Sequence, residues 1–230
     1  MNRVMDTPVA NPIVVKDASK SYKLGKVTVQ ALAGVSLTVE PGEFLAIAGP
    51  SGSGKTTLLN LIGCLDTPSS GEIEIDGQPV AKLSSGQRAD LRARKIGFIF
   101  QTFNLIPVLT AEENVEYPLL LRKRTPDHRQ RMHRALSQVG LADRARHRPP
   151  ALSGGQQQRV AIARALVSEP ALVLAYEPTA NLDSHTGHEI IQLMRQLNRE
   201  HGTTFVFSTH DPRIMKAADR VLEISDGRLR

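Results

Sequence analysis

Residues 49–57 of this 230-residue chain, Gly49, Pro50, Ser51, Gly52, Ser53, Gly54, Lys55, Thr56 and Thr57, fit the spacing G-x-x-x-x-G-K-[ST]. The apolar run FLAIA precedes them and the helical run KTTLLNLIGCL follows, and that context gives the spacing its chemistry. Glycines let the main chain wrap an anion with its N–H groups pointing inward, and the start of a helix adds the positive end of its dipole. Lys55 is then placed to reach the outer phosphates and the Thr56 hydroxyl to meet a divalent cation. The blander alternative is a Gly/Ser-rich turn capping an ordinary helix. The strand-to-helix context favours a phosphate cradle, and a nucleoside triphosphate is the expected ligand.

A second helix start, LSGGQQQRVAIARAL at residues 152–166, opens with Ser153 as a natural N-cap, then the bare glycine N–H groups of Gly154 and Gly155, then Gln156. An SGG before a helix is usually only a cap; beside a phosphate cradle it reads as a second anion contact. The stretch LSSGQR at residues 83–88 looks similar but lacks the second glycine and leads into ADLRARK, which has no apolar stripe. It is expected to be a loop and helix cap. Residues 172–184, LVLAYEPTANLDS, read as a buried strand that delivers Glu177, with Tyr176 directly before it.

These groups need elements to hold them. The N-terminal third, with IVVKDASKSYKL, VTVQALAGVSLTV and the turn Asp76-Gly77 in EIEIDGQPV, predicts antiparallel strands. Apolar runs at 44–48, 96–100, 172–175 and 204–208 then alternate with helical stretches, the mark of a parallel sheet covered by helices. The close, RVLEISDGRLR, predicts a hairpin turning at Asp226-Gly227. Residues 111–148 are polar, Arg-rich and helical in period, ended by the breaker RPP. There is no internal repeat. The chain carries 29 Lys+Arg against 23 Asp+Glu, a balance compatible with nucleic acid, an anionic membrane surface or a phosphorylated ligand. Its single cysteine, Cys64, excludes an internal disulfide, fits a reducing compartment and reads as a small buried apolar residue. The first twelve residues lack the apolar core of a leader, and no segment approaches the roughly 20 apolar residues that cross a bilayer, so a membrane role must come through a partner.

In their order the motifs resemble those of the nucleotide-binding subunits of ABC transporters, over nearly the whole chain. Tyr22 matches the adenine-stacking aromatic, residues 49–56 Walker A, Gln101 after IGFIF the Q-loop, LSGGQ the signature, Glu177 the end of Walker B, Asn181-Leu182-Asp183 the D-loop and His210 the H-loop. The resemblance implies an α/β fold: a P-loop NTPase core with a mainly parallel sheet, an N-terminal antiparallel β-subdomain and an inserted α-helical subdomain. It implies one domain over residues 1–230, with the core in about 1–100 and 160–230 and the helical subdomain in about 102–158. It also implies ATP and Mg²⁺ as cofactors, the metal on Thr56 and Gln101. Two copies would sandwich two ATP molecules, each between one chain's Walker A and the other's Ser153, Gly154, Gly155 and Gln156, with Asp183 alongside. Glu177 would serve as general base on water, His210 would touch the γ-phosphate, and Gln101 would link the site to the membrane subunits. Read singly, His210 could be a turn histidine, Tyr22 a half-buried strand aromatic, and Gln101 and Glu177 solvated strand-end residues; the ordered set favours the functional reading.

The stretches KVTVQALAGVSL, NLIGCLDTPSSGEI and FNLIPVLTAEENVEYPLLL narrow the resemblance to the lipoprotein-release and macrolide-export type. The apolar run at 103–121 would help form a groove for a helix of a permease subunit. The implied setting is cytoplasmic, peripheral on the inner face of a bacterial inner membrane. Soluble relatives in DNA repair or translation carry long insertions or tandem cassettes that 230 residues do not accommodate. RADLRARK and RKRTPDHRQRMHR lack interleaved aromatics, so no nucleic-acid partner is expected. One position departs from the family: an aspartate linked to Mg²⁺ stands where this chain has Tyr176, and a phenol of pKa about 10 supplies no negative charge there. A weakened ATPase, a binding-only subunit and a one-base change of an aspartate codon are all open readings. Intact Glu177, Asp183 and His210 favour recent change over long decay.

Overall fold

The computed structural model describes residues 13–121 and 126–230. Residues 1–12, on which the expectation about a leader falls, and residues 122–125 of the Arg-rich run lie outside them. In chain order the strands are β1 (Ile13–Leu24), β2 (Val27–Val39), β3 (Phe44–Ala48), β4 (Ser70–Ile75), β5 (Gln78–Pro79), β6 (Ile96–Ile99), β7 (Leu172–Tyr176), β8 (Thr204–Thr209), β9 (Arg220–Ser225) and β10 (Arg228–Leu229). The helices are α1 (Lys55–Ile62), α2 (Ser85–Lys95), α3 (Ala111–Leu120), α4 (His128–Gln138), α5 (Gly154–Leu166), α6 (Ser184–His201) and α7 (Pro212–Ala217).

The β-branched N-terminal stretches form the expected antiparallel sheet, in the order β2-β1-β4-β5. The second sheet runs β10-β9-β3-β8-β7-β6 and is parallel throughout except at the final hairpin β9–β10. Every residue of β3, β7 and β8 is buried, as strands covered on both faces must be. Phe44, Ala46, Val173, Ala175, Phe205 and Phe207 turn to one core, shared with Val115 of α3, Leu136 of α4, Ile162 of α5 and Ile190 of α6. Leu45, Ile47, Leu172, Leu174, Tyr176 and Val206 turn to the other, against Leu58, Leu59 and Ile62 of α1 and Ile13, Leu37 and Ile73 of the antiparallel sheet.

Two sequence expectations change. The first helix stops at Ile62, short of the predicted Leu65, because Cys64 takes a left-handed φ of 55° and the Leu65 N–H turns back to Asn60 O at 2.9 Å. Burial pushes the Cys64 thiol up to about 11, as suits an inert core residue. The closing hairpin is present, but β9 also joins the main sheet, parallel to β3. LSSGQR forms the predicted cap: the Ser84 hydroxyl accepts from Gln87 N–H and the Gln87 side chain accepts from Ser84 N–H, opening α2.

Candidate nucleotide site

Four adjacent parallel strands deliver the candidate residues to one edge. In sheet order β3-β8-β7-β6, the chain leaves β3 into residues 49–54, β8 into His210, β7 into Glu177 and β6 into Gln101. All are carboxyl ends, where open α/β sheets bind ligands.

The α1 start is left open for an anion. Its N-cap, Gly54, sits at φ 108° and no side chain caps the helix. A Cβ on Gly54 would stand 2.6 Å from Ala31 O, so the loop requires glycine there. Lys55 Nζ donates to the carbonyl oxygens of Gly49 and Pro50 at 2.7 and 2.8 Å, folding the ammonium over the loop's inner lining. The Ser53 hydroxyl is buried with no partner, an unmet group that a bound phosphate oxygen would satisfy. Ser51, Gly52 and Thr56 are exposed and Thr57 is half-buried. Behind the loop, Gly227 N–H donates to Ser53 O at 3.0 Å, so the β9–β10 turn buttresses it.

Tyr22, on β1, donates from its hydroxyl to Asp66 Oδ2 at 2.9 Å. Lys20 binds the same carboxylate and stands 5.0 Å from the ring centroid, so a base could stack only on the other ring face. Burial, then the Asp66 hydrogen bond, raises the Tyr22 phenol above its ordinary pKa. Asp66 had no sequence signal beyond its charge.

Glu177 holds φ 43°, a left-handed value uncommon for a side chain that is not Gly, Asn or Asp. Its N–H donates to Ser208 O at 2.9 Å, and its Oε2 lies 3.0 Å from His210 Nδ1 and 3.3 Å from His210 N. These two candidates therefore meet. They border an open hollow of about 580 Å³ together with Ala180, Leu182 and Ser184. Gln101 meets the D-loop: Asn181 Nδ2 donates to Gln101 O at 3.0 Å and Gln101 Nε2 reaches Asn181 Oδ1 at 3.4 Å. Asp183 caps α6, accepting from His185 N and Thr186 N, and hydrogen bonding from the Thr186 side chain first, then from these N–H groups, lowers its pKa.

Tyr176 points elsewhere than a metal ligand would. Its hydroxyl donates to Asn60 Oδ1 at 3.0 Å, one helical turn beyond Thr56 on α1. Its ring stacks on Phe100 at 5.3 Å between centroids, and Phe100 stacks on Phe98 at 6.0 Å. Burial raises the phenol's pKa far above its ordinary value, so it is neutral. Mg²⁺ selects hard oxygen donors, anionic ones above all. Thr56 and Gln101 are neutral, the Tyr176 hydroxyl is committed to Asn60, and the Glu177 carboxylate is engaged by His210. Among the described residues no cluster of three or more His, Cys, Asp or Glu side chains could hold a metal ion. The residues present fit a nucleotide, and Thr56 and Gln101 would hold Mg²⁺ without the anionic protein donor that the resemblance implies at position 176.

The α5 start is closed on itself. The Ser153 hydroxyl accepts from Gln156 N–H and the Gln156 side chain accepts from Ser153 N–H. Gly155 lies so close to α6 that a Cβ would meet Thr186 Cγ2 at 2.4 Å. Further along, Gln158 Nε2 donates to Pro178 O beside Glu177, and Arg164 donates to the Phe103 and Asn104 carbonyls, pinning two consecutive left-handed residues after Gln101. Within one chain the two cradles do not join: α1 packs on β2, β4 and β8, whereas α5 packs on α3, α4, α6 and β6.

The profile of the family described as ABC transporter matches residues 32–180. The macrolide export ATP-binding/permease protein MacB of Syntrophobacter fumaroxidans is 49% identical over 94% of this chain and 30% of its own length. The lipoprotein-releasing system ATP-binding protein LolD of Bordetella pertussis is 49% identical over 91% of both chains. A solved dimer of the ATP-binding cassette MJ0796, in a post-hydrolysis state with ADP and Pi, is 46% identical, has a TM-score of 0.87 and covers 95% of this chain and 96% of that one.

Proposed function

The chain belongs to the ABC transporter family, as an ATP-binding protein of the lipoprotein-release and macrolide-export type, and we propose that it assembles head to tail around ATP to drive a separate membrane permease. The observation that carries this reading is the division of the phosphate contacts. One cradle at α1 is bare, the other at α5 sits on the opposite side of the central sheet, and a γ-phosphate can meet both only if two copies face each other.

In this arrangement Lys55 and the N–H groups of residues 51–56 hold the phosphates, and Tyr22 stacks on the base. Glu177, aimed by its left-handed backbone and held by His210, takes the proton of an attacking water, while His210 contacts the γ-phosphate. Ser153, Gly154, Gly155 and Gln156 complete the cage from the second copy, with Asp183 fixing the start of α6 beside them. No helix among the described residues is long and apolar enough to cross a membrane. The permease contact is assigned to the groove of about 370 Å³ lined by Ile96, Phe98, Phe100, Pro118 and Leu121, which adjoins Gln101 and suits an apolar helix. The relatives' names point to export or to lipoprotein release.

Hydrolysis is slow in this reading, because Tyr176 removes the anion that would fix a metal against the γ-phosphate. A misplacement of about 1 Å costs roughly 100-fold in rate. ATPase and nucleotide-binding assays of the native chain and Tyr176→Asp, side by side with Mg²⁺ varied, test it. Turnover should rise at least about tenfold, or ~1.4 kcal/mol of barrier, with little change in affinity. Equal turnover at every Mg²⁺ concentration would contradict it.

A further inference from the structure

At the end of the central sheet opposite the nucleotide site, a hollow of about 310 Å³ opens between α4, the end of α5, the loop before β7 and the end of α6. Thr203, on its wall, directly precedes β8, whose six residues separate it from His210 by about 20 Å. Leu166 and Val167 give the hollow an apolar side, and Glu169 is the only acid among the described residues that line it. Arg131 is weakly neutralised there. Its Nη2 lies 3.3 Å from Glu169 Oε2, and its buried Nε has no hydrogen-bond partner. The arginine side chain is 17% exposed and that of Glu169 is 68% exposed, so a mostly buried cation faces a solvated anion. A buried donor left unpaired carries a cost that a ligand oxygen would remove. Arg134, one turn further along α4 on the same face, is exposed and makes no ion pair among the described residues. Across the hollow, Gln138 Nε2 donates to His201 Nε2 at 2.9 Å, which leaves the imidazole Nδ1 as a donor.

We propose that this hollow binds a small phosphate monoester, with Arg131 and Arg134 donating to the phosphate and Leu166 and Val167 packing on its organic part. A phosphate dianion outcompetes the single, solvent-screened charge of Glu169 for Arg131, and the guanidinium fork matches phosphate oxygens. The volume suits a small organic ligand. A membrane surface fits less well, because a flat layer of headgroups is met by exposed cations and Arg131 is mostly buried. Arg94 and Lys95 border an adjoining hollow of about 450 Å³, but they are already paired with Asp90 and Asp76 and do not extend the site. A ligand held by two arginines of α4 beside His201 and Thr203 ties α4 to the end of α6 and the start of β8, a junction that the Gln138–His201 hydrogen bond already spans.

The test is an NMR titration of the full, isotope-labelled chain with inorganic phosphate and with glycerol phosphate, at constant ionic strength with chloride as the balancing anion. The N–H signals of residues 134–138, 166–169 and 201–203, which surround the hollow, should shift saturably with a dissociation constant of about 1 mM or lower for glycerol phosphate. Signals of residues 51–56 report the nucleotide cradle separately. Arg134→Ala and Arg131→Gln should each raise the constant at the hollow by about tenfold or more and leave any response of residues 51–56 as it was. If Arg131→Gln does not fold, Arg134→Ala, at an exposed position, decides alone. Three results would each overturn the proposal: no saturable shift around the hollow, a response unchanged in Arg134→Ala, or cosedimentation with phosphatidylglycerol vesicles without binding of either solute. A response confined to residues 51–56 overturns it too and leaves the nucleotide reading standing.

Discussion

The starts of α1 and α5 are both glycine-rich and both candidate phosphate cradles, yet they are built in opposite ways. The α1 start has no side-chain cap, a left-handed Gly54 and a buried hydroxyl without a partner; its unmet groups wait for a ligand. The α5 start satisfies itself through the Ser153–Gln156 box and is fitted by Gly155 against Thr186. The α2 start carries the same box, Ser84–Gln87, but its Gly86 faces open space. A capping box is therefore only local structure. What distinguishes α5 from α2 is the surface against which its glycine is packed, beside the D-loop.

The largest expected effect separates α1 from α5. Lys55→Ala removes charge-assisted contacts to the phosphates and should weaken ATP binding by about 100-fold, ~2.7 kcal/mol, in calorimetric titration. Ser153→Ala should leave binding to the single chain within about twofold while abolishing ATP-dependent assembly. Comparable losses of single-chain affinity from both variants would erase the contrast. The next effect separates α5 from α2. Gly155→Ala forces a methyl against Thr186 and should destabilise by about 1–3 kcal/mol in urea melts, whereas Gly86→Ala, in open space within a helix, should stabilise by about 0.5–1 kcal/mol. Equal signs would mean that the two glycines do the same thing.

A smaller effect should be common to both boxes. Ser153→Ala and Ser84→Ala each remove one cap and should each cost about 1 kcal/mol of stability, although only the first touches assembly. The smallest concerns the loops between the cradles, held by Asp211, which accepts from Thr179, Arg213 and the Arg213 N–H. Burial alone would raise its pKa, but the Arg213 and Thr179 hydrogen bonds outweigh it and hold the carboxyl down to about 2. Its stabilising contribution is therefore complete above the unfolded value near 4 and is lost as pH falls from there through about 2. Asp211→Asn should flatten that part of a pH–stability curve, measured by thermal melts.

Much of this was legible in the sequence. Contiguous apolar runs identify β3, β7 and β8 because strands covered on both faces need no alternation, and Asp76-Gly77 and Asp226-Gly227 mark the β4–β5 and β9–β10 hairpins through turn chemistry. The motif order brings Lys55, Gln101, Glu177 and His210 to one sheet edge. Pairings set only by three-dimensional packing were not legible. Asn60 lies one turn after Thr56, but nothing in the sequence says that Tyr176 would reach it. Asp66 beneath Tyr22, Asn181 beside Gln101 and the left-handed Glu177 depend on loops whose course is fixed by distant elements. The parallel role of β9 was hidden because RVLEIS alternates like an ordinary hairpin arm while pairing with a strand far earlier in the chain.

The central claim is that the two cradles are completed by two copies of the chain around ATP. Sedimentation velocity of the Glu177→Gln variant, with saturating ATP and then with ADP, tests it most directly, since loss of the base preserves any ATP-bound assembly. A dimer with ATP and a monomer with ADP is the predicted result. A chain that stays monomeric with ATP demonstrably bound would contradict the account.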